Sequence, residues 1–345
     1  MKTRLGYLGV GSMGRVHIDV FARRCAAEAE GIALFDPHEP SRSEALKLLP
    51  RARVFDSAQA LIESDLDAVV ISSPNYTHAD YAIAALAAGK HVFAEKPVAT
   101  TAADCRRMVE AARQSGCILF IAHELPYSAW FLKIRELLER GAIGTPQMVW
   151  CQEFRIPFLT KVDQWIIDER LSGGALVEKT CHHFDVMNRW AASRPKRVGA
   201  FGSKRFNHVL NIPTEVLDNA SVSFEYENGV VGTLQLCMFA PHRGDDNLEM
   251  GLIGEEGLLE TNCNRIRVWP RDRAKRQEEV FNLATDDGFG GRHIGLVEEH
   301  QAFLAAIRDG TRPPTDVRDS AAGTLLAIAA ERAIKQGAVV EVEKS

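Results

Sequence analysis

Up to about residue 123 the chain alternates short, almost unbroken apolar runs with amphipathic stretches. The runs are LGYLGV, IALF, DAVVISS, HVFA and CILFIA. Continuous apolarity of this length predicts parallel strands buried on both faces. Between them apolar residues recur three and four apart, as in Tyr81-Ala82-Ile83-Ala84-Ala85-Leu86, with Gly89 placed to stop the helix. Thr101 and Asp104 have the spacing of a reciprocal cap at the start of a helix carrying Met108 and Val109. Repeated strand–helix units of this kind predict a doubly wound parallel sheet.

The pattern changes near residue 124. A helix is predicted over about 128–140, followed by the turn GAIGTP and then by segments of alternating character: QMVWCQEF, KRVGAFGS, NASVSFEY, VVGTLQLCM, NLEMGLIG, GLLETN and RIRVWP. Asn228-Gly229 between two of them is a hairpin signal. One helix, about 174–192, interrupts the strands, and a long helical region is predicted from about 293 to 336. With 345 residues the chain is long for a single core, so two domains are expected. They are an α/β domain over 1–123 and an α+β domain with a large, mostly antiparallel sheet over 124–345, whose C-terminal helices are free to pack back on the first. Helices on one face of that sheet leave the other to be buried, which predicts a homodimer or homotetramer through it.

The first strand runs straight into Gly9-Val10-Gly11-Ser12-Met13-Gly14. This G-x-G-x-x-G turn opens a helix, the arrangement of a Rossmann dinucleotide fold. Gly9 permits the turn, Gly11 lets backbone approach a pyrophosphate, and Gly14 lets helix pack on strand. The helix N-terminus offers N–H groups to the phosphates. The second strand ends in Asp36, about 20 residues beyond the last glycine, where a carboxylate accepts ribose hydroxyls. Pro37, His38 and Glu39 offer no arginine for a 2′-phosphate and Arg42 lies a turn or more away, so NAD is expected over NADP.

A net charge of -5 argues against a nucleic-acid partner. The one basic cluster, Arg271 to Arg276, is broken by Asp272 and reads as a solvated turn. No apolar run reaches membrane-spanning length, and the direct start into a strand shows no secretory signal. Seven scattered cysteines without metal-ligand spacing fit reduced thiols in a cytoplasm, and no metal is expected.

Three further segments sharpen the picture: Ser72-Ser73-Pro74-Asn75-Tyr76-Thr77-His78 with Ala88 to Pro97, which contains Glu95-Lys96-Pro97; Gly173-Gly174-Ala175-Leu176-Val177-Glu178-Lys179-Thr180-Cys181-His182-His183-Phe184-Asp185; and the ending Gly337 to Val342. With the N-terminal turn they resemble the Gfo/Idh/MocA family of nicotinamide-dependent sugar and polyol oxidoreductases, over essentially the whole chain. The resemblance implies that Lys96 sits beside the nicotinamide and contacts the substrate hydroxyl. It also implies that Glu178 and His182 match the family's D-x-x-x-H pair, with glutamate in place of aspartate and Thr180 where many members carry glycine. The resemblance further implies that Ser73, Pro74, Asn75, His78 and Glu95 join the glycine turn on the cofactor side, with capping of the following helix as the alternative role of His78.

Independently, at about 100° per residue Glu178, His182 and Asp185 share one helix face, and Lys179 and His183 make a stripe beside it. Oxidising a carbinol needs a base, a cation for the developing alkoxide and a hydride acceptor. His182 is assigned as general acid/base, Lys96 as electrostatic stabiliser and proton relay, and Glu178 as orienter. The resemblance also places the segments carrying Arg155, Lys161, Trp165, Lys179, His183, Asp185, Arg243 and His293 around the cleft, as candidates for contacting a small carbohydrate. Several cations among them would suit an anionic sugar. The reading is an NAD-dependent dehydrogenase of a cyclic sugar, polyol or inositol. Lys179 and His183, as extra acid/base groups, keep a redox-neutral NAD-dependent glycoside hydrolase as the alternative.

Overall fold

The structure is a computed structural model that describes residues 2–157, 161–206, 215–241, 248–272, 274, 277–283 and 293–345. The strands β1 (Thr3–Leu8), β2 (Ala29–Phe35), β3 (Arg53–Val54), β4 (Ala68–Ile71), β5 (His91–Glu95) and β6 (Leu119–Ala122) form one parallel sheet in the order β3-β2-β1-β4-β5-β6. The strands are buried because helices cover them: Leu5, Leu8, Val69, Val70, Ile71, Phe93 and Phe120 have no exposure. The linking helices are α1 (Ser12–Arg24), α2 (Glu39–Leu48), α3 (Ala58–Ile62), α4 (His78–Ala87) and α5 (Ala102–Ser115). Thr101 caps α5: its Oγ1 accepts the Asp104 N–H at 3.1 Å and donates to Asp104 Oδ2 at 2.7 Å, and Gly116, at φ 69°, ends the helix. The order reverses at β1, so the carboxyl ends of β1 and β4 flank the switch point where open α/β sheets bind ligands.

The second sheet is built from β7 (Pro146–Phe154), β8 (Pro195–Ser203), β9 (Asn219–Tyr226), β10 (Val231–Cys237), β11 (Leu248–Gly254), β12 (Gly257–Thr261), β13 (Arg265–Pro270), β14 (Glu279–Asn282) and β15 (Val340–Glu341). Its order is β14-β13-β12-β11-β7-β10-β9-β8-β15, and every pairing is antiparallel except β7 with β10. Asn228-Gly229 does turn β9 into β10, with Gly229 at φ 88°. Alternation is clean in β9, where Ala220, Val222, Phe224 and Tyr226 point inward. The helices here are α6 (Ala129–Glu139), the short α7 (Glu169–Ser172) and α8 (Cys181–Ala191), which packs on β7.

The predicted helix over 293–336 is two helices, α9 (Leu296–Asp309) and α10 (Val317–Gln336). Gly310, at φ 62°, stops the first, and Pro313-Pro314 cannot continue it. Asp316 opens the second by accepting the Arg318 N–H at 3.0 Å. By contacts the chain divides into a unit of residues up to His123 with Leu296–Ala321 and the terminal Ser345, and a unit of Glu124–Gly295 with Ala322–Lys344. Among the described residues no helix is long and apolar enough to cross a membrane, and no disulfide joins the cysteines.

Candidate active site

The glycine turn leaves the space a pyrophosphate needs. A side chain on Gly9, at φ 84°, would come within 2.5 Å of the Ser73 nitrogen, and one on Gly14 within 2.4 Å of the Gly9 carbonyl. At Gly11 nothing lies within 4 Å of where a Cβ would stand. The first turn of α1, with Ser12 exposed and Met13 half-buried, has no side-chain cap on its N–H groups. Open room at Gly11 together with uncapped N–H groups fits the phosphates of NAD. Ser72 Oγ donates to the Gly9 carbonyl at 2.8 Å and ties this turn to the end of β4.

Asp36 follows β2. Its Oδ2 accepts the Val10 N–H and its Oδ1 the His38 N–H, both at 2.8 Å, which leaves lone pairs for ribose hydroxyls. Arg42 comes closer than its spacing suggested: Nη1 donates to the carbonyls of Asp36 (2.6 Å) and Pro37 (3.0 Å). Its guanidinium thus braces the acidic turn through backbone oxygens.

At the end of β4, Ser73 Oγ lies 2.5 Å from Thr77 Oγ1, Thr77 bonds back to the Pro74 carbonyl, and Asn75 is buried in a tight turn. His78 is fully buried, with Nδ1 2.9 Å from the Pro97 carbonyl and Nε2 3.0 Å from the Ser73 carbonyl. Burial pushes its pKa down. A neutral ring carries one N–H, so it donates to one of these two carbonyls and packs against the other.

Glu95 ends β5, nearly buried, and its Oε2 accepts the Lys96 N–H at 3.1 Å. Burial alone would raise its pKa. A hydrogen bond from His17 and the charges of His17, Lys96 and His78 outweigh this and hold it down to about 2. Lys96, half-buried, begins the loop beyond the sheet's carboxyl edge.

The second candidate segment departs from an ideal helix. Gly173 (φ 87°) and Gly174 (φ 99°) lead into one π-helical turn, Leu176–Thr180, and α8 follows. Such turns recur at functional sites. The even 100° spacing used to place Glu178, His182 and Asp185 on one face does not hold across this turn. Neighbours that diverge on an α-helix meet here: Lys179 Nζ lies 3.0 Å from Glu178 Oε2, and Glu178 is buried. Thr180 Oγ1 bonds the Leu176 carbonyl at 2.7 Å.

His182 is half-buried, whereas Cys181 and the run from His183 to Met187 are buried. Asp185, three residues beyond His182 on α8, is closed into an ion pair with Arg189 (2.7 Å). His183 Nε2 meets Glu153 Oε2 at 2.7 Å, and Arg155 Nη1 meets Glu153 Oε1 at 2.8 Å. Burial would raise the Glu153 pKa, but the His183 and Arg155 contacts hold it at about 2.

Sequence reasoning missed Glu153. The signal was a carboxylate in phase with Val149 and Cys151 on the buried face of β7. Arg155 and Lys179, expected to receive an anionic sugar, thus already face carboxylates. His293 pairs with Glu124 at 3.2 Å; Lys161 and Trp165 are half-buried around a short 3-10 turn; Arg243 lies outside the described residues.

Glu331 of α10 holds the front of the π turn. Its Oε1 accepts the Leu176 N–H at 2.9 Å, and a Cβ on Gly174 would come within 2.4 Å of it. Burial pushes its pKa up to about 7, reinforced by Glu169, while the Leu176 N–H and Lys335 oppose the shift. A folded pKa above the unfolded one means stability present below the unfolded value is lost as pH rises through about 4.5 to 7, at most about 3 kcal/mol. Glu331→Gln keeps the acceptor and removes the charge. It is expected to raise the melting temperature relative to wild type at pH 8 but not at pH 5. An equal change at both pH values in thermal unfolding would refute this.

Two family models match the chain: the oxidoreductase family NAD-binding Rossmann fold over residues 3–123 and the GFO/IDH/MocA C-terminal domain over 131–260. The chain is similar to inositol 2-dehydrogenase of Serratia proteamaculans (32% identical, covering 99% of this chain and 97% of the relative). It is also similar to myo-inositol 2-dehydrogenase of Thermotoga maritima (27% identical, covering 99% of each). Its fold matches scyllo-inositol dehydrogenase from Lactobacillus casei, solved with bound NAD(H) and scyllo-inositol, at a TM-score of 0.83, 21% identity and 99% coverage of both chains. The open phosphate cradle at Gly11, the acid at Asp36 and the two matching domains together place this chain in the Gfo/Idh/MocA family of NAD-dependent oxidoreductases.

Proposed function

We propose that this chain oxidises a secondary alcohol of a neutral cyclic polyol of the inositol class. Bound NAD supplies the hydride acceptor. His182 takes the hydroxyl proton, Lys96 stabilises the developing alkoxide, and Glu178, held against Lys179, orients the site. The observation that carries this reading is the division of labour within one segment. His182 stays half-exposed, while His183 is closed onto Glu153 and Asp185 onto Arg189. His183 is thus engaged as an ion-pair partner, and His182 is the imidazole at the position the family resemblance gives to acid–base work. Pairing of Arg155 and Lys179 with carboxylates favours an uncharged substrate, and full-length similarity to inositol 2-dehydrogenases points the same way. Phe201, Val231, Ile253 and Val280, exposed on the second sheet, support self-association through it, which a solution mass would test.

The test is a panel of inositol isomers, free sugars and chromogenic glycosides assayed for NADH absorbance and aglycone release together. NADH with at least one inositol is expected. Aglycone release without net NADH would replace the reading with the hydrolase. In the same assay NAD should bind more tightly than NADP, because the Asp36 carboxylate repels a 2′-phosphate, and Asp36→Ala should narrow the gap.

A further inference from the structure

Behind the Glu95-Lys96 strand end, the first unit contains a buried chain of side chains that the reaction does not use. Glu95 Oε1 lies 2.9 Å from His17 Nε2 on α1. His17 Nδ1 lies 3.0 Å from His300 Nε2 on α9, and His300 Nδ1 lies 2.6 Å from the Leu296 carbonyl. Both imidazoles have no exposure. Phe93 and Phe21 pack around them, with ring centroids 4.5 to 5.2 Å away.

Counting donors fixes the direction of the chain. A carbonyl only accepts, so His300 Nδ1 carries a proton. A neutral His300, which its burial favours, then accepts at Nε2, and His17 Nδ1 must donate to it. One more proton lies in the His17–Glu95 bond. His17, Glu299 and His300 also fall within metal-ligand reach of one another. Two ligands on a tetrahedral zinc would stand about 3.4 Å apart at bond lengths near 2.0–2.1 Å, so a 3.0 Å separation with both outer nitrogens engaged is that of a hydrogen bond.

We propose that Glu95, His17 and His300 form a one-way proton-sharing relay that fixes the Glu95 carboxylate and, through its bond to the Lys96 N–H, positions the lysine. His17 and His300 are positioning residues, since neither touches the reacting atoms. The idea rests on the role given to Lys96 above. The charged or titratable groups that face the relay are Lys96 and His78 at Glu95, and Glu299, 3.8 Å from His300.

The test uses the full chain, with His300→Phe, His300→Gln, His300→Asn and, as control, Lys96→Ala. Glutamine puts an acceptor where Nε2 stood, asparagine stops short of it, and phenylalanine fills the aromatic cage without one. In ¹⁵N-histidine-labelled protein, an exchange-protected His17 N–H resonance is expected in wild type and His300→Gln and absent in His300→Phe. In the inositol assay, His300→Phe and His300→Asn should lose about tenfold in kcat, the usual scale for a supporting hydrogen bond. NAD affinity and KM should hold, and His300→Gln should stay close to wild type.

A folded His300→Phe with wild-type kcat and an unchanged resonance overturns the relay, as does stoichiometric zinc in the purified protein. If the phenylalanine variant does not fold, equal kcat in the glutamine and asparagine variants overturns it instead. Should Lys96→Ala keep its turnover, the catalytic reading fails by itself, and the resonance still reports on the relay.

Discussion

Lys96→Ala is expected to lose 10²–10³ in kcat, the usual result of removing a preorganised donor from a developing oxyanion, while NAD affinity stays near wild type. The structure separates the two effects. The phosphate cradle is made by backbone at Gly9, Gly11 and Gly14 and by α1, none of which depends on the lysine. The lysine's place is set by its own N–H, bonded to Glu95. On the proposed role, loss of its side chain removes charge from the reacting hydroxyl and little else. Steady-state kinetics beside calorimetric NAD titration decide the matter, and near-native turnover on the true substrate would end the assignment.

His182→Ala should have the larger range of effect, a loss of roughly 10²–10⁴ in kcat. Because an imidazole serves as base only when unprotonated, wild-type alcohol oxidation should fall as pH is lowered, and the variant should lose that limb. Glu178→Gln should be milder and should alter the pH profile, since it changes the environment of the base and not the base. An unchanged pH–rate profile in His182→Ala would move the role elsewhere on the segment. His183 is the poorer substitute, because Glu153 already holds its Nε2 at 2.7 Å.

The first sheet was legible because burial on both faces writes continuous apolar runs, and the glycine turn needs specific backbone at specific spacing. In the second, NASVSFEY and RIRVWP coincide with β9 and β13 because period-2 alternation runs their full length. The two-residue strands β3 and β15 are too short to show any period, and β14 borders undescribed residues. Within the active-site segment, residue types were legible and geometry was not. An arithmetic of 100° steps assumes unbroken α-helix, and Gly173-Gly174 with the Leu176 N–H bound to Glu331 imposes another winding. Glu153, His17 and His300 escaped notice for a related reason: their partners lie far along the chain, and no local spacing announces a pairing between residues 17 and 300.

The π turn at Leu176–Thr180 has one further consequence. Such a turn is an α-helix holding one residue too many, so everything before it is rotated by about 100° relative to everything after. A single-residue deletion there would restore regular winding, and the helix would become easier to build. The same deletion would take away the winding that brings Lys179 Nζ within 3.0 Å of Glu178 Oε2, and would turn the residues before the π turn relative to α8. The segment is therefore constrained in length as well as in composition: a deletion that leaves every acid and base in place still breaks the Glu178–Lys179 pairing.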